Sequence, residues 1–263
     1  MPSLPSIAHD PAPKLPTLTP KQIQHYQEKG YLILPQAQHH LFPSLQSFKS
    51  WIHEVSVWPS PPDPTKPESY RLYYEPSPVP GEDPLLFDTE RVSESHQPLA
   101  NIITGPAAIS LLHQLTGQQM LLFKDEVAWK LPGGRGAIPH IDLPAYGDFA
   151  PEFVEIMIAV DAHTAENGCM EVVDGSHREE VPFGEGGRIV GDWVQKLEGQ
   201  GREFVPVVLE AGDILIFGEK LAHRLGPNQT DQRRAAVFAT YHFDLEKPDL
   251  RDEFFAHRLV GYM

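Results

Sequence analysis

Past Gly117 the chain breaks into short apolar runs closed by turn residues, and no other feature limits its fold as much. Runs at 120–130, 137–141, 154–161, 169–173, 204–209, 214–217 and 235–242 have strand length and strand composition. Asn167-Gly168 and Asp174-Gly175 punctuate them, and such dipeptides tolerate the positive φ that tight turns require. Many short strands with this punctuation predict an antiparallel sandwich or barrel.

The first part of the chain reads differently. Residues 1–18 are proline-rich and aperiodic, which predicts a disordered lead-in. Thr19 is placed to cap a helix that starts at Pro20 and ends at Gly30, and Tyr31–Leu34 then reads as a strand stopped by Pro35. Leu41, Leu45, Phe48, Ile52 and Val55 recur at helical spacing and predict a helix over 41–57. Residues 58–88, crowded with proline, predict a long ordered loop lying over a site. Ile102, Ile103, Ala107, Leu111, Leu112 and Leu115 predict one helix over 98–116, and a last helix is expected over 248–257. The expected organisation is one domain over 19–263: a helical part at 19–117, a β core at 118–245 and a C-terminal helical piece at 246–263.

Composition removes several functions. Lys and Arg number 21 against 36 Asp and Glu, a formal charge of −15, which repels phosphate backbones and anionic lipid. Neither nucleic-acid binding nor membrane binding is therefore expected. No apolar run reaches the length of a membrane span, and the N-terminal segment lacks the apolar stretch of a secretory leader. Cys169 stands alone, which excludes an internal disulfide and a cysteine-ligated cluster and predicts a reducing, cytoplasmic setting.

The chemistry concentrates at Pro139-His140-Ile141-Asp142. On a strand leading into a loop, residues two apart project to one side, so His140 and Asp142 can meet one ion. An imidazole and a carboxylate are two members of the 2-His-1-carboxylate set, which leaves open positions on Fe(II) for a co-substrate and O₂. A third ligand must come from elsewhere. His223 follows the turn Gly212-Asp213 and the apolar run at 214–217, while His163 is a rival. His96, His113 and His177 read as structural or exposed. Arg233 and Arg234 lie ten and eleven residues past His223, and a guanidinium there can fork onto a carboxylate.

Taken in order, these motifs resemble the phytanoyl-CoA dioxygenase family of Fe(II)- and 2-oxoglutarate-dependent oxygenases. The resemblance rests on Leu18-Thr19-Pro20 with Gly30-Tyr31-Leu32 and on Lys130-Leu131-Pro132-Gly133 ahead of His140-Ile141-Asp142. It continues through the stretch from Glu166-Asn167-Gly168 to Gly175-Ser176-His177-Arg178, then Ala211-Gly212-Asp213, His223 and Gly226-Pro227-Asn228. It implies a mostly β fold with flanking helices, whose core is a double-stranded β-helix, the cupin-like jelly roll. It implies iron on His140, Asp142 and His223, with 2-oxoglutarate on Arg233 (by the following alanine) or Arg234 (by counting eleven residues). It also implies oxidation of a small organic substrate, such as a secondary-metabolite intermediate, by hydroxylation, desaturation or epoxidation, in a monomer or homodimer. Because Asp142 keeps the carboxylate, halogenation is disfavoured.

This chain departs from its relatives at two places. Leu225 stands where many carry a small hydroxyl residue, and Ile141 stands where a glutamine is common, which alters the expected pocket wall. Trp129, Tyr146, Phe149, Phe153 and Trp193 are candidates for an apolar substrate pocket. A non-catalytic or redox-neutral cupin-like metal protein is the alternative.

Overall fold

A computed structural model describes residues 15–59, 70–77, 81–143, 152–243, 245–247 and 250–260, with side chains as far as 256. Two antiparallel sheets face one another. The larger has the order β1-β9-β6-β11-β4-β3-β2 and the smaller β5-β10-β7-β8. In chain order the strands are β1 (Tyr31–Leu34), β2 (Arg71–Glu75), β3 (Leu85–Glu90), β4 (Leu121–Lys130), β5 (Ala137–His140) and β6 (Phe153–Ala159). They continue with β7 (Met170–Val172), β8 (Val205–Pro206), β9 (Ile214–Gly218), β10 (His223–Leu225) and β11 (Arg234–His242).

Period-2 alternation explains how the large sheet is covered on both sides. In β6, Val154, Ile156 and Ile158 join the core under the helices, while Met157 and Ala159 join the core between the sheets. In β9, Ile214 and Ile216 face the helices, and Leu215 and Phe217 face the other sheet. A strand buried on both faces reads as an unbroken apolar run, which is how Ile214-Leu215-Ile216-Phe217 appears in the sequence. Each fully buried Leu, Ile or Phe contributes roughly 1.5–3 kcal/mol of transfer free energy.

The helices lie mainly on the outer face. They are α1 (Pro20–Lys29), α2 (Gln36–His39), α3 (Leu45–Ser56), α4 (Val92–Ser95), α5 (Gln97–Ile103), α6 (Pro106–Thr116), α7 (Trp193–Gly199) and α8 (Leu250–Val260). Helix α1 begins as its sequence prescribes. Thr19 and Gln22 form a reciprocal capping box, Pro20 opens the first turn, and Gly30 closes the helix at φ 89°. Helix α8 brings Leu250, Phe254 and Phe255 against Phe123 and Phe153.

Several expectations change. Of the lead-in, residues 1–14 lie outside the described residues, but Leu18 is buried and donates its N–H to Gln114 on α6. The helix expected over 41–57 starts only at Leu45, because Ser44 caps it, and α2 precedes it. The loop expected over 58–88 contains β2 and β3, which extend the large sheet beyond β4; its residues 60–69 and 78–80 lie outside the described set. Proline density hid these strands because the prolines flank them rather than interrupt them. The last helix runs further than expected, to Val260, and residues 248 and 249 of the expected span lie outside the described residues; α7 was not anticipated.

The helix expected over 98–116 is two helices. Pro106 disfavours helical geometry in the residue before it, and Gly105 is extended at φ −74°, ψ 166°. A Cβ on Gly105 would stand 2.0 Å from the Asn101 carbonyl oxygen, so the elbow has no room for a side chain. Gly105→Ala is expected to destabilise the fold by about 1–3 kcal/mol, the range for forced overpacking. Chemical denaturation measures it, and an unchanged midpoint would show that the elbow can open without cost.

Candidate active site

Strands β5 and β10 pair antiparallel with His140 opposite His223, so two imidazoles arise side by side from neighbouring strands. Their ring centroids are 4.1 Å apart. Each ring donates its Nδ1–H to the carbonyl two residues earlier: His140 to Ile138 at 2.8 Å and His223 to Leu221 at 2.9 Å. That fixes the tautomer and turns both Nε2 lone pairs toward one point. Asp142 Oδ1 lies 3.6 Å from His140 Nε2 and 3.8 Å from His223 Nε2. The three side chains thus offer ligand atoms all within 4.8 Å of one another. Burial, and then the neighbouring His223, lowers the His140 pKa, favouring the neutral ring that a metal requires.

The backbone holds this geometry. The N–H groups of Asp142 and Leu143 both donate to the Glu219 carbonyl, and Ile141 N–H donates to Gly187. Glu219 also accepts the Phe153 N–H through its carboxylate. Ile141 points away from the triad into a cluster with Val173, Trp193, Leu197 and Ala222. It therefore does not form the pocket wall expected of it, because the alternation that unites His140 with Asp142 turns the residue between them outward.

The two candidate arginines part company. Arg234 opens β11 facing inward and is 5 % exposed. It donates to the carbonyls of Asn167 at 3.1 Å and Gly168 at 2.6 Å, and to His163 Nε2 at 3.4 Å. Lys130 lies opposite it in the β4–β11 register and donates to the carbonyls of Gly168 and Gly226. Burial lowers the Lys130 pKa to about 8 and that of Arg234 to about 10. A guanidinium and an ammonium are thus held together with carbonyl partners, and among the described residues neither has an ion pair. This is a niche for an anion. Arg233 takes the opposite face and is exposed, its guanidinium 6.0 Å from the Trp129 ring centre. Leu225, two residues past His223, pairs with Ala137 and Met170.

Other candidates fall elsewhere. His163 is buried beside Arg234, outside the triad. His177 lies in a 3₁₀ turn and bonds the Gln27 carbonyl, His96 caps α5, and His113 bonds the Gln118 carbonyl. Trp129 belongs to the core under the helices and Trp193 to the cluster around Ile141, so neither lines a pocket with the triad. Phe153 shares a small cavity with Asp142, Glu155, Phe217, Glu219 and Thr240. Tyr146 and Phe149 lie outside the described residues.

Sequence reasoning overlooked Glu155. It is half-buried, accepts a hydrogen bond from Thr240 at 3.0 Å, and has its pKa raised to about 8 by burial, then by Asp142. It also overlooked Asp88, Glu90, Glu126 and Lys124, which share the inner face. Their signal was present in β4, where Lys124, Glu126 and Lys130 alternate with Phe123, Val127 and Trp129, but Asp125 obscures the pattern.

Burial, and then Arg234, lowers the His163 pKa to about 3. The folded protein therefore binds fewer protons than the unfolded chain between about pH 3 and 6.5, and stability falls as pH drops through that window. The loss between pH 7 and pH 5 is expected to be about 2 kcal/mol. Denaturation midpoints of the protein and of His163→Gln test this; equal acid sensitivity in both would exclude the assignment.

Fold and triad together define an oxygenase-type jelly roll. A similar architecture occurs in EctD from S. alaskensis, solved with 2-oxoglutarate and 5-hydroxyectoine, at a TM-score of 0.71 and 17% identity over 94% of this chain and 87% of that one. Residues 26–236 match the family model described as phytanoyl-CoA dioxygenase (PhyH), and the chain belongs to that family. Dioxygenase lolE1 of Epichloe uncinata is 52% identical over 245 residues, covering 93% of this chain and 91% of the relative. Methylphosphonate hydroxylase of Gimesia maris is 30% identical over 243 residues, covering 92% and 87%. The protein is accordingly a dioxygenase, an oxidoreductase of the 2-oxoglutarate-dependent type.

Proposed function

We propose that His140, Asp142 and His223 hold Fe(II), that Arg234 anchors the distal carboxylate of 2-oxoglutarate, and that O₂ is the second co-substrate in oxidising a small organic molecule. The observation that carries the reading is the shared focus of the three ligand atoms, with both Nδ1–H groups already committed to carbonyls. Two neutral nitrogens and one carboxylate suit Fe(II) and cover only part of its coordination sphere. Bound there, the metal would supply open sites and the redox chemistry that no side chain provides.

The protein's own part is positioning and charge. The carbonyls of Ile138 and Leu221 orient the imidazoles, and the Glu219 carbonyl fixes the loop that bears Asp142. Arg234 can fork onto a carboxylate while Lys130 adds positive charge beside it. Phe153 and Phe217 keep water from the space beside Asp142. Arg233, on the outer face, takes no part. Among the described residues no helix is long and apolar enough to cross a membrane, and the lone, buried Cys169 fits a reducing cytoplasm.

Anaerobic addition of Fe(II) and then 2-oxoglutarate tests the reading. A visible charge-transfer band is expected only when both are present, with succinate formed once air is admitted. Metal binding without a band would leave a metal protein that does not use the oxo acid.

A further inference from the structure

The triad is closed on one side and open on the other. The His223 side chain is 4 % exposed, whereas those of His140 and Asp142 are 21 % and 22 % exposed. Among the described residues, the approach from solvent therefore runs past His140 and Asp142. Arg188 stands on that side. Residues 187–189 run antiparallel to β5 along the edge not taken by β10, with Arg188 opposite His140. Ile141 donates its N–H to the Gly187 carbonyl and Ile189 donates to the Pro139 carbonyl, both at 3.0 Å. Those bonds belong to the residues flanking the pair. Arg188 and His140 thus form the non-hydrogen-bonded kind of antiparallel pair, whose side chains share a face with Cβ atoms roughly 4.5–5.5 Å apart. One row of side chains crosses the small sheet: Arg188, His140, His223 and Val172. Val172 lies in the core between the sheets, so Arg188 is the rim end of the row.

Arg188 is exposed and, among the described residues, its guanidinium has no ion pair and no hydrogen bond. An exposed, unpaired arginine is commonplace on a surface. This one differs in its place, because its register partner is one of the triad. Val190, two residues on and so on the same face, is exposed, as is Ile138 of β5. A cation with apolar neighbours therefore borders the open side of the triad. The other carboxylates in the cavity beside Asp142 belong to the opposite sheet or its margin and are engaged, Glu155 by Thr240 and Glu219 by the Phe153 N–H.

We propose that Arg188 anchors the substrate, and that the substrate carries an oxyanion, a carboxylate or a phosphonate, on a small carbon frame. The assignment rests on the oxygenase reading above, because it sets the oxyanion beside the His140–Asp142–His223 triad. A guanidinium presents paired N–H groups that fork onto two oxygens of one such group. Arg234 is held apart from it by the carbonyls of Asn167 and Gly168, so co-substrate and substrate each have a guanidinium of their own. The exposed carbons of Val190 and Ile138 suit the frame of the substrate. A chain with a formal charge of −15 needs a local cation to receive an anion, and the same cation repels a protonated amine.

Calorimetry on the anaerobic protein with Fe(II) and saturating 2-oxoglutarate tests the proposal with matched probes. These are benzoate, phenylphosphonate, benzamide and benzamidine, then hexanoate, hexanamide and hexylamine. At least one oxyanion is expected to bind about tenfold or more tighter than the amide of its frame, the scale of one hydrogen-bonded charge, with the matching cation weaker still. Benzoate against phenylphosphonate shows which oxyanion the site prefers. Arg188→Gln is expected to erase the preference and Arg188→Glu to invert it in favour of the cation. Both variants should still form the visible band, with 2-oxoglutarate affinity within about twofold of the unmutated protein, since an exposed side chain without partners contributes little to the fold. The proposal is overturned if the band forms but no oxyanion outbinds its amide, or if Arg188→Gln keeps the preference. It is equally overturned if Arg188→Gln weakens 2-oxoglutarate as much as Arg234→Ala does, which would give Arg188 to the co-substrate. Absence of the band in the unmutated protein would instead sink the oxygenase reading, and this proposal with it.

Discussion

His140→Ala, Asp142→Ala and His223→Ala are each expected to weaken Fe(II) binding by more than about 100-fold and to abolish the 2-oxoglutarate band. Loss of a mere supporting partner around a metal costs about 10–100-fold, and loss of a ligand exceeds that. The three side chains converge without help from one another's hydrogen bonds, because each imidazole is fixed by its own carbonyl. The variants should therefore fold, and circular dichroism beside metal titration separates loss of metal from loss of structure. His223 is buried and meets the Phe217 ring edge-on with centroids 5.5 Å apart, so its alanine variant also loses packing. Asp142→Asn is the cleaner test, since it keeps the shape and removes the charge. Retained Fe(II) affinity in Asp142→Asn and His140→Ala together would refute this ligand set.

The second large effect is at Arg234. Arg234→Ala is expected to weaken 2-oxoglutarate about 100-fold, the scale of losing one partner of a buried, charged hydrogen-bonded pair. The change also removes the bonds to Asn167, Gly168 and His163, so some stability is lost with it. Arg234→Lys controls for this by keeping the charge without the fork, and an intermediate affinity is expected. Arg233→Ala should leave 2-oxoglutarate binding within about twofold, because an exposed cation on the outer face contributes little. Titration of the visible band measures all three. An effect at Arg233 equal to that at Arg234 would mean that the oxo acid binds elsewhere.

Local chemistry made part of this protein legible. Helix α1 could be read from Thr19, Pro20, Gln22 and Gly30 because capping groups act within a few residues. Most strands of the core could be read because covered strands are apolar and their turns need particular residues. The pairing of His140 with Asp142 followed from strand alternation, and the same alternation should have turned Ile141 away. Even the elbow at Gly105-Pro106 was written in the sequence, though the apolar periodicity on either side concealed it.

What the sequence by itself determined was the β-rich core, its bounding helices and the residue types available for a metal. Only the tertiary structure decided which of Arg233 and Arg234 faces the space between the sheets, since one step along β11 reverses the face and the count from His223 does not fix the phase. Only it joined β2 and β3 to the large sheet, bringing Asp88 and Glu90 beside Glu126 from strands some 30 residues apart in the chain. The reason is range. Caps, turns and alternation depend on neighbours along the chain, whereas the charge between the sheets depends on strands that meet through register, and register is set by the packing of both sheets at once.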